Sequence, residues 1–275
     1  MRRMIVPGLL GLGLALRFVR LDAALWYDEA FSAWLAQLPL ERLIEATLGD
    51  VHPPGYYVLL WLVNLAVGHS EVALRLPSVL AGCALITAVY GLARALNLDL
   101  TAGRWAALLT ALSSFQIYYS QEVRAYALLS LAVTMAAVAV LRRRWGWAVV
   151  VSVAALYLHN MAGLFVGSVW LAGLWYHAQT AEVYKTSAVF KPLRSLAVLA
   201  LLGAAPAAFF TLHQVGAVGS GYWVPPIDSP GRVLATLDDL LWFAPNNPFI
   251  IASGLCTCFG LVLLGLNWRF VVVAP

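Results

Sequence analysis

Residues 52–67 read His52-Pro53-Pro54-Gly55-Tyr56-Tyr57-Val58-Leu59-Leu60-Trp61-Leu62-Val63-Asn64-Leu65-Ala66-Val67. Two adjacent prolines cannot continue a helix, but they suit the first turn of a new one, where their missing N–H groups are not needed. The apolar run behind them covers only residues 56–67. Crossing the hydrocarbon core of a bilayer takes about 20 apolar residues. This run is too short for that, and its length predicts a re-entrant or interfacial helix. Whether it crosses decides on which side every later segment lies.

The question arises because the whole chain is apolar. Of 275 residues, 62% are hydrophobic and 11% charged, with mean hydropathy +0.83. A soluble domain carries about 25% charged residues, so the composition predicts an all-α polytopic membrane protein. Candidate spans are 4–21, 74–94, 104–120, 125–141, 145–159, 161–178, 195–213 and 248–267, about eight transmembrane helices by the usual length rule. The long apolar run from Trp145 to Ala181 is divided at His159-Asn160. No repeat or soluble domain separates out, and residues 1–275 read as one membrane-embedded domain. Met1-Arg2-Arg3 before an apolar run resembles a signal peptide, but no small-x-small cleavage site follows, so a retained first helix is expected. Cys83, Cys256 and Cys258 lie inside apolar runs and read as packing residues.

Cytoplasmic loops carry an excess of Lys and Arg. If residues 56–67 do not cross, then Arg2-Arg3, the Arg94–Arg104 loop, Arg142-Arg143-Arg144, Lys185, Lys191, Arg194 and Arg269 fall on one side. If they cross, the triple arginine and the lysine loop land opposite the N-terminus. The first arrangement is expected, with the N-terminus cytoplasmic. The net charge of +4 then describes topology and not an affinity for nucleic acid. The extracytoplasmic face receives residues 22–73, 120–125, 159–160 and 214–247. On it gather Asp22, Asp28, Glu29, Asp50, His52, Glu71, Arg75, Glu122, Arg124, His159, His213 and Asp238-Asp239.

Asp28 and Glu29 sit on an amphipathic helix whose apolar stripe is Trp26, Phe31, Trp34, Leu35 and Leu38. They read either as solvated acids of an interfacial helix or as functional carboxylates. Neighbouring helix positions point about 100° apart, so one solvent face does not accommodate both. Desolvation raises a carboxylate's pKa, which suits a general base. His52 lies just before a helix N-terminus, a place for an anion or a metal, or for a plain turn. In Tyr118-Tyr119-Ser120-Gln121-Glu122-Val123-Arg124-Ala125-Tyr126, Glu122 and Arg124 are either a local pair or a site where Arg124 grips a lipid phosphate. His159 stands at a helix end. The loop Gly219-Ser220-Gly221-Tyr222-Trp223-Val224-Pro225-Pro226 is a substrate cover or a connector. His69 and His177 have no constellation around them, and no P-loop or dinucleotide fingerprint is present.

Taken in order, Tyr27-Asp28-Glu29-Ala30, His52-Pro53-Pro54-Gly55-Tyr56-Tyr57, Ala73-Leu74-Arg75-Leu76-Pro77-Ser78, Ser120-Gln121-Glu122-Val123-Arg124-Ala125-Tyr126 and Leu158-His159-Asn160 resemble a known set. The chain is similar, over roughly residues 1–215, to the bacterial branch of the dolichyl-phosphate-mannose protein mannosyltransferases (glycosyltransferase family 39). That branch includes the lipid A aminoarabinose transferases, and the family belongs to the multi-span GT-C class. The resemblance implies an inner-membrane enzyme that moves a sugar from a polyprenyl-phosphate donor to a lipid, protein or glycan acceptor in the cell envelope. It implies catalytic roles for Asp28, Glu29 and Glu122. Arg124 and Arg75 become the candidates for the donor phosphate, and His52 and His159 for substrate or metal. The aminoarabinose branch holds a metal near the position of His52, where it carries an acid. The lysine that follows there is Pro53 here, which leaves a divalent cation open as a cofactor. Two rival expectations stand beside this one. A transporter or flippase would place ionisable groups near the midplane within repeats. A partial, inactive relative would fit a chain of 275 residues, short for this family.

Overall fold

The computed structural model describes residues 5–179, 194–218 and 231, and every regular element among them is a helix. The order is α1 (Ile5–Arg17), α2 (Tyr27–Leu35), α3 (Leu40–Thr47), α4 (Gly55–Val67), α5 (Glu71–Ala95), α6 (Leu100–Leu112), α7 (Ser114–Ser120), α8 (Tyr126–Leu141), α9 (Trp145–Leu158) and α10 (Ala162–Gln179). The last, α11, covers residues 194–218 and is wound as a π-helix over Ala200–Ala204. Two stretches are long and apolar enough to cross a membrane by length and composition, Glu71–Ala95 and Arg194–Gln214. Four shorter apolar helices accompany them, within α1, α4, α8 and α9. The expected span at 248–267, loop residues 219–230 and 232–247 with Asp238-Asp239, and Cys256 and Cys258 lie outside the described residues.

The α4 helix has 13 residues, about 20 Å at 1.5 Å per residue. It begins where Gly55 meets the backbone of Tyr157 at the end of α9, so closely that a Cβ there would overlap the Tyr157 carbonyl. Near its other end, Asn64 donates to the carbonyl of Ala36, just past α2 (3.3 Å). Three residues then lead to α5, whose first turns meet α2 through Arg75 and Glu29. Both ends of α4 therefore lie at the same end of the bundle, and the helix runs across that end with α2 and α3 packed against it.

The 104–120 segment, expected as one span, is two helices broken at Ser113. Its backbone is extended there, and its hydroxyl caps α7 by accepting from the Gln116 N–H (3.3 Å). Serine favours such a cap over a helix interior. The break strands carbonyls at the end of α6, and Arg17 takes them. This arginine is fully buried and donates to the carbonyls of Gly13 (3.1 Å), Ala111 (3.2 Å) and Thr110 (3.2 Å), and to the Ser120 hydroxyl (3.1 Å).

Small residues recur at the helix contacts: Ala81 and Gly82 on α5, Gly103, Ala107 and Ala111 on α6, Ala132, Ala136 and Ala139 on α8, Ala148 and Ala155 on α9. Larger buried side chains such as Leu74, Ile86, Leu156 and Trp170 fill the spaces between them. Leu80, Leu109, Val150, Leu164, Leu171, Leu201 and Phe209 point outward. Exposed tryptophans sit toward both ends, Trp26 and Trp34 at one, Trp105, Trp147 and Trp175 at the other. The second end also holds the arginines. Arg142 donates to the Gly91 carbonyl (3.5 Å), and Arg143 to Nδ1 of His177 (3.3 Å).

Where α5 passes Arg17, a Cβ on Gly82 would overlap the Ser120 hydroxyl and lie 2.9 Å from Arg17 Nε. Gly82→Ala is expected to destabilise the folded protein by about 1–3 kcal/mol, the usual cost of overpacking. Thermal unfolding in detergent would read this, and an unchanged midpoint would contradict the packing described.

Candidate active site

The end of the bundle crossed by α4 collects the side chains singled out in the sequence. Glu29 is 1% exposed and accepts from Arg75 twice, at Oε1 (3.3 Å) and Oε2 (2.8 Å). Its remaining capacity is taken by the Val123 N–H (2.7 Å) and by the Trp26 N–H at the start of α2 (3.3 Å). Arg75, equally buried, spends its other amino group on the carbonyls of Leu21 (2.7 Å) and Ala23 (2.6 Å). Neither group retains the freedom that catalysis or phosphate binding needs. The expected roles of Glu29 as a catalytic acid and Arg75 as a phosphate ligand do not fit this geometry, because each has the other as its partner.

Asp28 is turned differently. Its side chain is 35% exposed, and Oδ2 lies 3.5 Å from Nη1 of Arg124. Arg124 is buried, yet its contacts are long: 3.3 Å from Nη2 to the Tyr126 hydroxyl and 3.5 Å to Nε2 of His52. Three arginines are buried among the described residues. Arg17 and Arg75 each make four hydrogen bonds, whereas Arg124 makes two, at 3.3 and 3.5 Å, beside its 3.5 Å contact with Asp28. Its guanidinium therefore keeps donors available for an anion.

Arg124 lines a small cleft with Ser32, His52, Tyr56, Tyr126 and His159. Its free volume is about 10 Å³, about one water, so a ligand reaching Arg124 must displace the side chains that close over it. The His52 and His159 rings meet edge to face, centroids 4.7 Å apart. Burial pushes His52 down to about 3, with His159 and Arg124 adding to it, and His159 down to about 4, so both are neutral at neutral pH. The buried Tyr56 hydroxyl and His52 Nδ1 have no hydrogen-bond partner.

Glu122 is buried behind this cleft. Burial pushes its carboxyl above the usual carboxylate range. Hydrogen bonding from Tyr118 opposes this, Glu29 adds to it, and Arg124 and the Trp26 side chain oppose it again. Asp50 accepts from the Tyr57 hydroxyl (2.6 Å), and its Oδ2 lies 3.8 Å from His52 Nδ1. These two supply a pair of possible metal ligands. No cluster of three His, Cys, Asp or Glu side chains forms among the described residues. Asp22, Glu71, His69 and His213 are exposed, and His177 lies at the arginine end.

Two residues went unmarked in the sequence. Arg17 carried a usable signal, being an ionisable group inside an apolar run. Gln214 is 2% exposed and touches the His52 segment from α11. Its one-dimensional signal, a glutamine ending an apolar run, is weak.

No family model matches the chain, and neither does any curated protein or solved structure.

The adjacent acids should therefore part company on substitution. Glu29→Gln leaves Arg75 buried beside a neutral group, and breaking such a pair costs about 3–5 kcal/mol. Asp28→Asn removes one long, half-exposed contact and should leave the unfolding midpoint close to wild type. Parallel thermal unfolding of the two variants checks this, and equal losses would contradict it.

Proposed function

We propose that the chain is a polytopic inner-membrane glycosyltransferase of the GT-C kind, moving a sugar from a polyprenyl-phosphate donor to an extracytoplasmic hydroxyl with inversion. The observation that carries this reading is Arg124, a buried guanidinium with only long contacts, next to the half-exposed carboxylate of Asp28. A cation waiting for an oxyanion beside a carboxylate that can accept a proton is what displacement at a sugar phosphate requires.

The membrane reading has its own support. Small residues between helices and large apolar ones outside are the packing pattern expected in lipid. Tryptophans toward both ends suit the two interfaces. The spans would be α1, α5, the α6–α7 pair, α8, α9, α10 and α11, with 248–267 as the eighth. Arginines at the end away from Asp28 put that end in the cytoplasm under the positive-inside rule. Acids gathered at one end, instead of at the midplane, favour an enzyme over a transporter.

In the reaction, the donor phosphate docks on Arg124 and competes with Asp28 for it. Asp28, released, accepts the proton of the acceptor hydroxyl as that oxygen attacks C1 of the sugar. The new C1–O bond forms on the face opposite the phosphate. The old C1–O bond breaks with its electron pair going to the phosphate oxygen, whose charge Arg124 stabilises. Glu122, hydrogen-bonded to Tyr118 and the Trp26 side chain, adds its field to that of Arg124. Glu29 and Arg75 keep the two reacting segments together. The acceptor is a lipid, protein or glycan hydroxyl.

Asp28→Asn should lower transfer from a labelled polyprenyl-phosphate sugar in membranes by about 10²–10⁴-fold, the usual contribution of a general base. Wild-type turnover by this variant would sink the assignment.

A further inference from the structure

The α11 helix packs on α9 through buried Leu199 and through Gly203, which lies against Leu156 and Val153. Near its end Gln214 is buried too. Its Nε2 donates to the carbonyls of Thr47 (2.9 Å) and His52 (2.8 Å), and its Oε1 accepts from Nδ2 of Asn160 (2.8 Å). Asn160 Nδ2 also donates to the Val51 carbonyl (2.8 Å), and its Oδ1 accepts from the Thr211 hydroxyl (3.2 Å). Five hydrogen bonds between neutral groups thus join three parts of the chain: the segment between α3 and α4, the α9–α10 junction, and α11. Being uncharged, they are insensitive to salt and to pH.

The segment they hold is the one that brings His52 to Arg124. At the cleft end of α11, the tie to this segment is made by Gln214 and its neighbours. We propose that Gln214 is a positioning residue that clamps the Thr47–His52 segment onto the cleft and so holds His52 against Arg124. The clamp rests on the reading of Arg124 as the donor-phosphate ligand for its purpose, but not for its existence.

The groups that face His52 define what release would do. Asp50 approaches it from its own segment, Arg124 from the α7–α8 connection, and His159, with Tyr126 behind it, from the α9–α10 junction. Tyr57 of α4 reaches it only through Asp50. None of these belongs to α11, so Gln214 acts on His52 through the backbone and through exclusion of water. Opening the clamp hydrates the imidazole, and burial is the main cause of its low proton affinity.

The test uses the full chain in lipid nanodiscs, with Gln214→Leu matching the size of glutamine but unable to hydrogen-bond. Histidine NMR would follow the His52 titration, and transfer assays would give KM for the donor and kcat separately. The clamp predicts that the His52 midpoint climbs from about 3 toward its ordinary value near 6.5. It also predicts that KM rises roughly tenfold while kcat falls less. A lowered melting temperature with an unmoved His52 midpoint would overturn it, since a purely structural glutamine gives that result. Should the variant not fold, hydrogen exchange of the wild type decides: residues 47–54 and 205–218 must open together, and independent opening refutes the clamp. Absence of transfer in the wild type would refute the glycosyltransferase reading alone, leaving titration and exchange to judge Gln214.

Discussion

A guanidinium out of water needs its donors met, and Arg75 meets its own by pulling four pieces of chain to one point. Glu29 brings the start of α2, Leu21 and Ala23 bring the connection from α1, and Val123 joins through the other side of the Glu29 carboxylate. The arrangement of the site follows by adjacency. Asp28 is next to Glu29 and Arg124 is next to Val123, so fixing the second members of each pair brings the first members face to face. An ion pair buried this deeply adds little net stability, because desolvation offsets most of the attraction. Its effect lies in register: it leaves one way for α2 to meet the α7–α8 connection.

Arg17 does for the middle of the bundle what Arg75 does for its end. The Ser113 break leaves carbonyls without intrahelical partners, and an arginine from α1 takes them in place of water. Small residues at the helix contacts let the backbones come close enough for such bonds, as at Gly82 beside Ser120 and at Gly55 beside Tyr157. Of the three arginines buried among the described residues, two are taken up in building the fold. The third, Arg124, makes fewer bonds, and the contrast lies in partners and not in residue type.

Much of the fold was legible in one dimension. Apolar runs located α1, α5, α8, α9, α10 and α11 closely, and the shortness of residues 56–67 foretold a helix that stays at one end. Ser113-Ser114 inside an apolar run held the signal for the α6–α7 break, but run length masked it. The gathering of Asp28, Glu122, Arg124, His52 and His159 followed from counting charges on alternate connections. What a sequence does not carry is partner choice. Asp28 and Glu29 are chemically alike and adjacent, and only the direction of each side chain relative to Arg75 separates a structural acid from an available one. The same holds for Arg75 against Arg124. Gln214 was hard to see for a related reason: two of its three partners are backbone carbonyls, which have no sequence signature.

The central claim is that Arg124 holds the phosphate of a lipid-linked donor. It is tested most directly by measuring binding of a short-chain polyprenyl phosphate, without sugar, to the full-length protein in nanodiscs. A hydrogen bond to a charged group is worth about 1.5–3 kcal/mol, so Arg124→Gln should weaken binding by roughly ten- to a hundredfold. An Arg124→Gln protein that folds and binds polyprenyl phosphate as tightly as wild type would contradict the account.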